Sequence, residues 1–291
     1  MVKKYVDKRN WKEYNNKLVK RGEFYVNPRF LDCWLDEVKL INQGKVGQPY
    51  LYPPSMIMFG AVLHAKRFDY RAIEGILRAL SKNTCNFPVI CFSQIRRRIN
   101  QMEFGFSAKS DDLVVGIDGS GMKSSTRGEW LRQKYAIRRG WIKVILMGDI
   151  HGNIVDVIVG NEHVSEQNKT RKMIRKHQEE ISKVLLDGLH DAKKTFETCK
   201  RSKVIPVIKI RKNARQKGLG PRARAVREYK KTTHKKWVKN TGYGYRWPAT
   251  EGIFSSTKRI FGEEVTSHKK NNQYHEAKIK FWAYQKIKDN T

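Results

Sequence analysis

Apolar residues recur at helical spacing through the first third of the chain, then gather into continuous runs from about residue 113. Between residues 30 and 41, Phe30, Leu31, Trp34, Leu35, Val38 and Ile41 share one face of a predicted helix. A second helix is predicted over 54–67, after Pro53-Pro54. Asp69 can cap a third, whose stripe is Ile73, Ile76, Leu77 and Leu80, and Ser93 a fourth, which carries Arg96-Arg97-Arg98. A basic helix at the end of a helical array fits a helix-turn-helix-like DNA reader and a bundle with one solvated arginine face equally well, because the turn spacing is not diagnostic. From Leu113 the pattern is that of buried strands: 113–117, 135–137 with 141–147, and 154–159 after a turn at His151-Gly152-Asn153. A polar helix over 166–182, a strand over 183–186, a helix over 191–199 and a strand over 204–210 complete an α/β pattern with a mixed sheet. Pro248 suits the start of a helix with Ile253, Phe254, Thr257, Ile260 and Phe261 as its stripe and Gly262 as its stop; a last helix is predicted over 274–286. The expected division is a helical region 1–110, a mixed-sheet domain 111–265 with a basic insertion near 211–240, and a C-terminal helix in 266–291.

Charge sharpens this picture. The chain carries 60 Lys and Arg against 28 Asp and Glu, a net +32, while 39% hydrophobic residues rule out a disordered basic tail. Such an excess calls for a polyanionic partner, nucleic acid first. It is uneven: residues 201–240 hold 15 basic residues and one acid, whereas 111–200 are nearly balanced. The run Arg211-Lys212-Asn213-Ala214-Arg215-Gln216-Lys217-Gly218 has no apolar period and suits phosphate contact, with Arg211 and Lys212 as candidates. No apolar run reaches the ~18–20 residues that span a bilayer, and the polar N-terminus has no signal-peptide character. The four cysteines are scattered, with no metal-binding spacing, and Cys85 and Cys91 read as core thiols. A cytoplasmic protein, nucleoid-associated when bound to DNA, is expected.

Three acids stand out. Asp118 and Asp187 each follow an apolar run where it gives way to glycine, and Glu251 opens a helix. Strand ends of α/β sheets collect active-site groups, although an Asp-Gly is also a plain turn former and a first-turn Glu also suits the helix dipole. Converging carboxylates in a basic protein need a cation, and hard oxygen donors select Mg²⁺ or Mn²⁺; two such ions would serve phosphodiester attack.

At these residues the sequence resembles a DDE transposase of a prokaryotic insertion sequence, most similar to the IS-four/IS-five superfamily. Tyr243-x2-Arg246-x4-Glu251-x6-Lys258 matches that family's Y-x2-R-x3-E-x6-K signature with one extra residue before the acid, and Arg259-Ile260-Phe261-Gly262 follows as in the family. Asp187-Gly188-Leu189-His190-Asp191-Ala192 matches the second-acid motif with His190 and Ala192 replacing Tyr and Ser, which leaves Asp191 as a helix N-cap or a supporting residue. Asp118-Gly119-Ser120-Gly121 matches the first. The resemblance implies a ribonuclease-H-like catalytic fold behind an all-helical N-terminal DNA-binding domain. It implies Asp118, Asp187 and Glu251 as catalytic metal ligands, with Tyr243, Arg246 and Lys258 on transposon-end DNA. It further implies double-stranded DNA, both ends and target, as partner, cleavage followed by strand transfer, and a homo-oligomer in the DNA complex. Two other readings stay open: a stand-alone metal-dependent nuclease, and a catalytically inactive or domesticated DNA-binding protein.

Overall fold

The computed structural model describes residues 10–84, 86–106, 110–124, 134 and 140–290. The chain divides into two compact units, residues 1–103 with 283–291, and residues 104–282.

The first unit holds α1 (Trp11–Val26), α2 (Trp34–Asn42), α3 (Pro54–Ala65), α4 (Tyr70–Asn83) and α5 (Phe92–Gln101). Asp69 caps α4 by accepting the Arg71 and Ala72 amides at 2.9 Å. Ile73 and Leu77 from its stripe reach the core, with Met56, Phe59, Ile95 and Ile99 from α3 and α5. The stripe expected over 30–41 is broken: a single turn at Arg29–Leu31 buries Phe30 against the Phe59 and Phe87 rings, and Leu35 on α2 is 80% exposed. Cys91, and not Ser93, is the residue before α5; no side chain caps that helix, and the buried Glu74 carboxylate of α4 accepts its first amide, from Phe92, at 2.6 Å. Cys91 is exposed and so is no core thiol; Cys85 lies outside the described residues. Arg98 turns over the Tyr50 and Tyr52 rings, while Arg96 and Arg97 stay exposed.

The second unit is a mixed α/β domain of ribonuclease-H-like type. Its sheet is built from β1 (Leu113–Ser124), β2 (Trp141–Asp149), β3 (Ile154–Asn161), β4 (Ile181–Leu186), β5 (Ile205–Ile208) and β6 (Glu264–Val265), in the order β3-β2-β1-β4-β5 with β6 on β1. The first three strands are antiparallel; β4 and β5 run parallel to β1. Each parallel step needs a crossover, supplied by α6 (Glu166–Lys176) and α7 (Lys193–Arg201). The core beneath joins Val115, Ile117, Ile145, Met147, Met173, Val184, Leu186 and Phe196. The strand expected at 135–137 lies outside the described residues.

Several boundaries differ from the sequence pattern for identifiable reasons. The helix expected over 166–182 stops at Lys176, and β4 begins at Ile181. His177 turns its ring back onto Asp156 of β3 at 3.0 Å and onto Glu180 at 2.6 Å. Asp191 does not cap α7; Ala192 precedes it, and the Asp191 carboxylate is turned elsewhere. The basic stretch after 211–220 is helical, with α8 (Pro221–Lys230) and α9 (His234–Thr241). Pro248 lies in a single turn, α10 (Arg246–Ala249); the main helix, α11 (Glu251–Phe261), starts at Glu251 and stops at Gly262, whose φ is +78°. The last helix, α12 (Lys270–Asn290), is longer than its apolar pattern. Among the described residues no helix is long and apolar enough to cross a membrane.

The Asp156–His177 contact sets a pH window. Burial opposes the Asp156 charge, but hydrogen bonds from His177 and Lys176 outweigh it and hold the carboxyl at about 2. The Asp156 hydrogen bond is the main cause raising the His177 imidazole above its ordinary value, against burial. Asp156 therefore stabilises the fold above the ordinary carboxylate value near 4, and this is lost as pH falls through about 2. His177 stabilises below about 6.5, and this is lost as pH rises through its raised folded value. Asp156→Asn is expected to lower stability by roughly 1–3 kcal/mol at pH 5–6 and by less above pH 8. Thermal melts of both proteins across pH 4–9 check this; a difference that does not vary with pH would refute it.

Candidate active site

Asp118 does not end its strand, as the run of apolar residues suggested. β1 continues to Ser124, with Asp118 paired across to Leu146 of β2. What ends there is the parallel neighbour. β1 and β4 are in register at Gly116 and Leu185, so Asp118 and Asp187, each two residues further on, are level with each other. Neighbouring strands lie about 4.8 Å apart. Asp187 then opens a single turn, Gly188–His190, by accepting the Leu189 amide at 2.9 Å.

Glu251 reaches this edge from the α10–α11 junction. The break falls at Thr250 (φ −133°, ψ −72°), whose buried hydroxyl donates to the Arg246 carbonyl at 2.9 Å. The Arg246 guanidinium turns toward two of the acids: Nη1 donates to Asp118 Oδ2 at 2.8 Å and Nη2 to Glu251 Oε1. One cation thus bridges the first and third acids. Burial pushes the Asp118 carboxyl above the usual carboxylate range in spite of Arg246, and the Asp187 charge adds to the rise. Tyr243 is half-buried with its ring 5.9 Å from the guanidinium carbon, and burial pushes its phenol up.

Lys258 lies back along α11 and donates to Ser120 Oγ and Gly121 O of β1, both at 2.9 Å; burial lowers its ammonium pKa. Lys212 is exposed. Arg211 is turned onto the Asp187 turn, donating through Nε to Gly188 O at 2.7 Å and through Nη2 to Leu189 O at 3.1 Å.

Sequence reasoning missed a second polar group on the opposite face of β1. Glu166, the first residue of α6, lies over Gly119, where an added Cβ would stand 2.2 Å from its Oε2. His190 is fully buried with its Nε2 3.5 Å from Glu166 and 3.8 Å from Asp187, and neither ring nitrogen makes a formed hydrogen bond. The His190–Glu166 attraction is the first cause holding the Glu166 carboxyl below its usual value. The one signal in the sequence was a histidine inside the second-acid motif; its partner, 24 residues earlier, gave none.

Three carboxylates, from inside β1, from the turn after β4 and from the start of α11, are of the hard oxygen type that a divalent cation selects. Among the described residues, no three His, Cys, Asp or Glu side chains stand close enough together to hold a metal ion, and Arg246 provides the positive charge between Asp118 and Glu251. The donor chemistry fits such an ion, and Arg246 would have to yield the two carboxylates to it.

A family model described as a transposase DDE domain matches residues 109–285, more than half of the 291-residue chain. A second model with the same description matches residues 19–127. A search of curated proteins finds no match.

Proposed function

This chain belongs to the DDE transposase family, and on that premise we propose that it binds the ends of an insertion sequence, cleaves the DNA there and transfers the freed 3′-OH into target DNA. The observation that supports this most is the placement of the three acids: Asp187, just past the end of β4, is level with Asp118 on β1, and Arg246 bonds to both Asp118 and Glu251. In this reading Asp118, Asp187 and Glu251 hold Mg²⁺ or Mn²⁺. The chemistry a pair of such ions supplies when bound is activation of a water or 3′-hydroxyl and stabilisation of the leaving oxygen.

The chain's own residues do the rest. Arg246 neutralises Asp118 and Glu251 before DNA arrives and turns to a backbone phosphate when those carboxylates are engaged. Lys258, held by the Ser120 hydroxyl and the Gly121 carbonyl two turns along α11 from Glu251, presents an ammonium to the next phosphate. Tyr243 fixes the Arg246 side chain, and Lys212 adds a contact from the basic insertion. The helical region 1–110 recognises the ends, with Arg96 and Arg97 exposed on α5.

The test uses the purified full chain and linear DNA carrying the inverted repeats that flank its gene, with Mg²⁺ or with chelator. Metal-dependent nicks at the repeat ends, followed by joined products on a second plasmid, are expected. Nicks without joined products would make the protein a nuclease. Binding without nicks would make it an inert DNA-binding protein.

A further inference from the structure

The acid that the site does not use, Asp191, is the most completely buried carboxylate near it, with a side-chain exposure of 0%. A buried carboxylate persists only when paired and hydrogen-bonded. Here Arg222, in the first turn of α8, donates to it with a fork of two bonds, Nε to Oδ1 at 2.6 Å and Nη2 to Oδ2 at 2.9 Å; the Arg211 amide adds a third to Oδ2 at 3.1 Å. The Arg211 side chain then returns to the Gly188 and Leu189 carbonyls, and Gln167 of α6 donates to the same Leu189 carbonyl at 2.5 Å. The Leu189 amide itself binds Asp187 Oδ1. Two carbonyls of that turn, those of Gly188 and Leu189, are thus tied to Arg211 at the start of the basic segment. The far end of the segment is fixed too: Tyr229 of α8 meets Trp237 of α9 edge to face, and Trp237 packs at a tilt on Tyr243, each at 5.0 Å between ring centroids.

We infer that Arg211, Asp191 and Arg222 are positioning residues for Asp187: together they brace the Asp187–Leu189 turn and couple its orientation to the basic helices α8 and α9. The inference rests on Asp187 being a metal ligand. It gives Arg211 work different from the phosphate contact that its place in a basic run suggests. It also accounts for the insertion's position in the chain, since an arm that grips DNA is rooted on one acid turn and ends at Tyr243, beside the arginine that bridges the other two acids.

The experiment compares the wild-type full chain with Arg211→Ala, Arg211→Lys and Asp191→Asn. Arg211→Lys keeps the charge but cannot reach both carbonyls with one planar fork. Binding to a random-sequence 30-base-pair duplex is measured across salt concentrations, and amide exchange is followed in peptides covering 186–192. For Arg211→Ala, an unchanged salt slope and roughly tenfold faster exchange across 187–190 are expected, with Arg211→Lys and Asp191→Asn showing the same acceleration. A slope reduced by about 0.9, the loss of one phosphate contact, would overturn the inference, as would unchanged exchange. On cleavable DNA, Arg211→Lys should need about fivefold more Mg²⁺ for half-maximal rate at unchanged DNA affinity; an unchanged Mg²⁺ requirement would refute the coupling to Asp187. If wild type never cleaves, the transposase reading fails, while the salt and exchange results still judge the brace.

Discussion

Asp118→Asn is expected to reduce metal-dependent cleavage at least ~1,000-fold, about 4 kcal/mol in the barrier, and to leave DNA affinity within about twofold. The substitution keeps the shape of the side chain and removes only its charge. The protein should not become less stable. Burial raises the Asp118 carboxyl above its ordinary value, so its ionised form costs the folded state free energy at neutral pH and protonation would relieve it. Glu251 remains to pair with Arg246 in the variant. Melting temperature unchanged or raised, alongside lost cleavage, separates a catalytic carboxylate from a structural one. A variant that retains a tenth of wild-type cleavage would overturn the assignment of Asp118. One that melts well below wild type would show that the Asp118–Arg246 pair stabilises the fold, contrary to the burial argument.

The parts of this site that could be read from the sequence are those fixed by local rules. The continuous apolar runs mark β1 and β4 because strand burial shows in the run itself, but they put Asp118 at a strand end, whereas β1 continues to Ser124, and only the fold shows the two strands to be neighbours. Asp69 was legible as a cap for the same reason: its partners are two and three residues away. Ser93 failed as a cap because Glu74, 18 residues earlier, satisfies the first amide of α5 instead. Helices α8 and α9 have no apolar stripe to reveal them, since Ala223 and Val226 are the only residues buried on α8 and none is buried on α9. Their order rests on the edge-to-face and tilted ring contacts of Trp237 with Tyr229 and Tyr243, which form only after folding. Arg222 and Arg211 were illegible for a sharper reason. In sequence they are two members of a basic segment, and only their tertiary pairing distinguishes them from phosphate contacts, while Asp191 read as a helix N-cap or a supporting residue with no partner named.

Gly148→Ala is expected to destabilise the second unit by roughly 1–3 kcal/mol and to slow cleavage about 100-fold, with Gly148→Val worse in both. Gly116 and Gly148 face each other across β1 and β2, and together they leave a bare patch on the sheet. The α10–α11 junction fills it: a Cβ on Gly148 would stand 2.3 Å from the Ala249 carbonyl oxygen and 2.5 Å from Ile253 Cδ1, and one on Gly116 2.9 Å from Ala249 Cβ and Thr250 Cγ2. The closest of these atoms is backbone, so no rotamer change relieves the contact; the junction has to lift. Arg246 and Glu251 flank that junction, and their reach to Asp118 depends on its depth. A shift of about 1 Å there suffices for a hundredfold loss in rate. Gly75→Ala in α4 is the control, since an added Cβ meets nothing within 4 Å, and it should stabilise by about 0.5–1 kcal/mol without touching cleavage. Urea denaturation and single-turnover cleavage of the three variants measure both quantities. Wild-type cleavage by Gly148→Ala would mean that the close seat of α10 on the sheet does not set the position of Glu251.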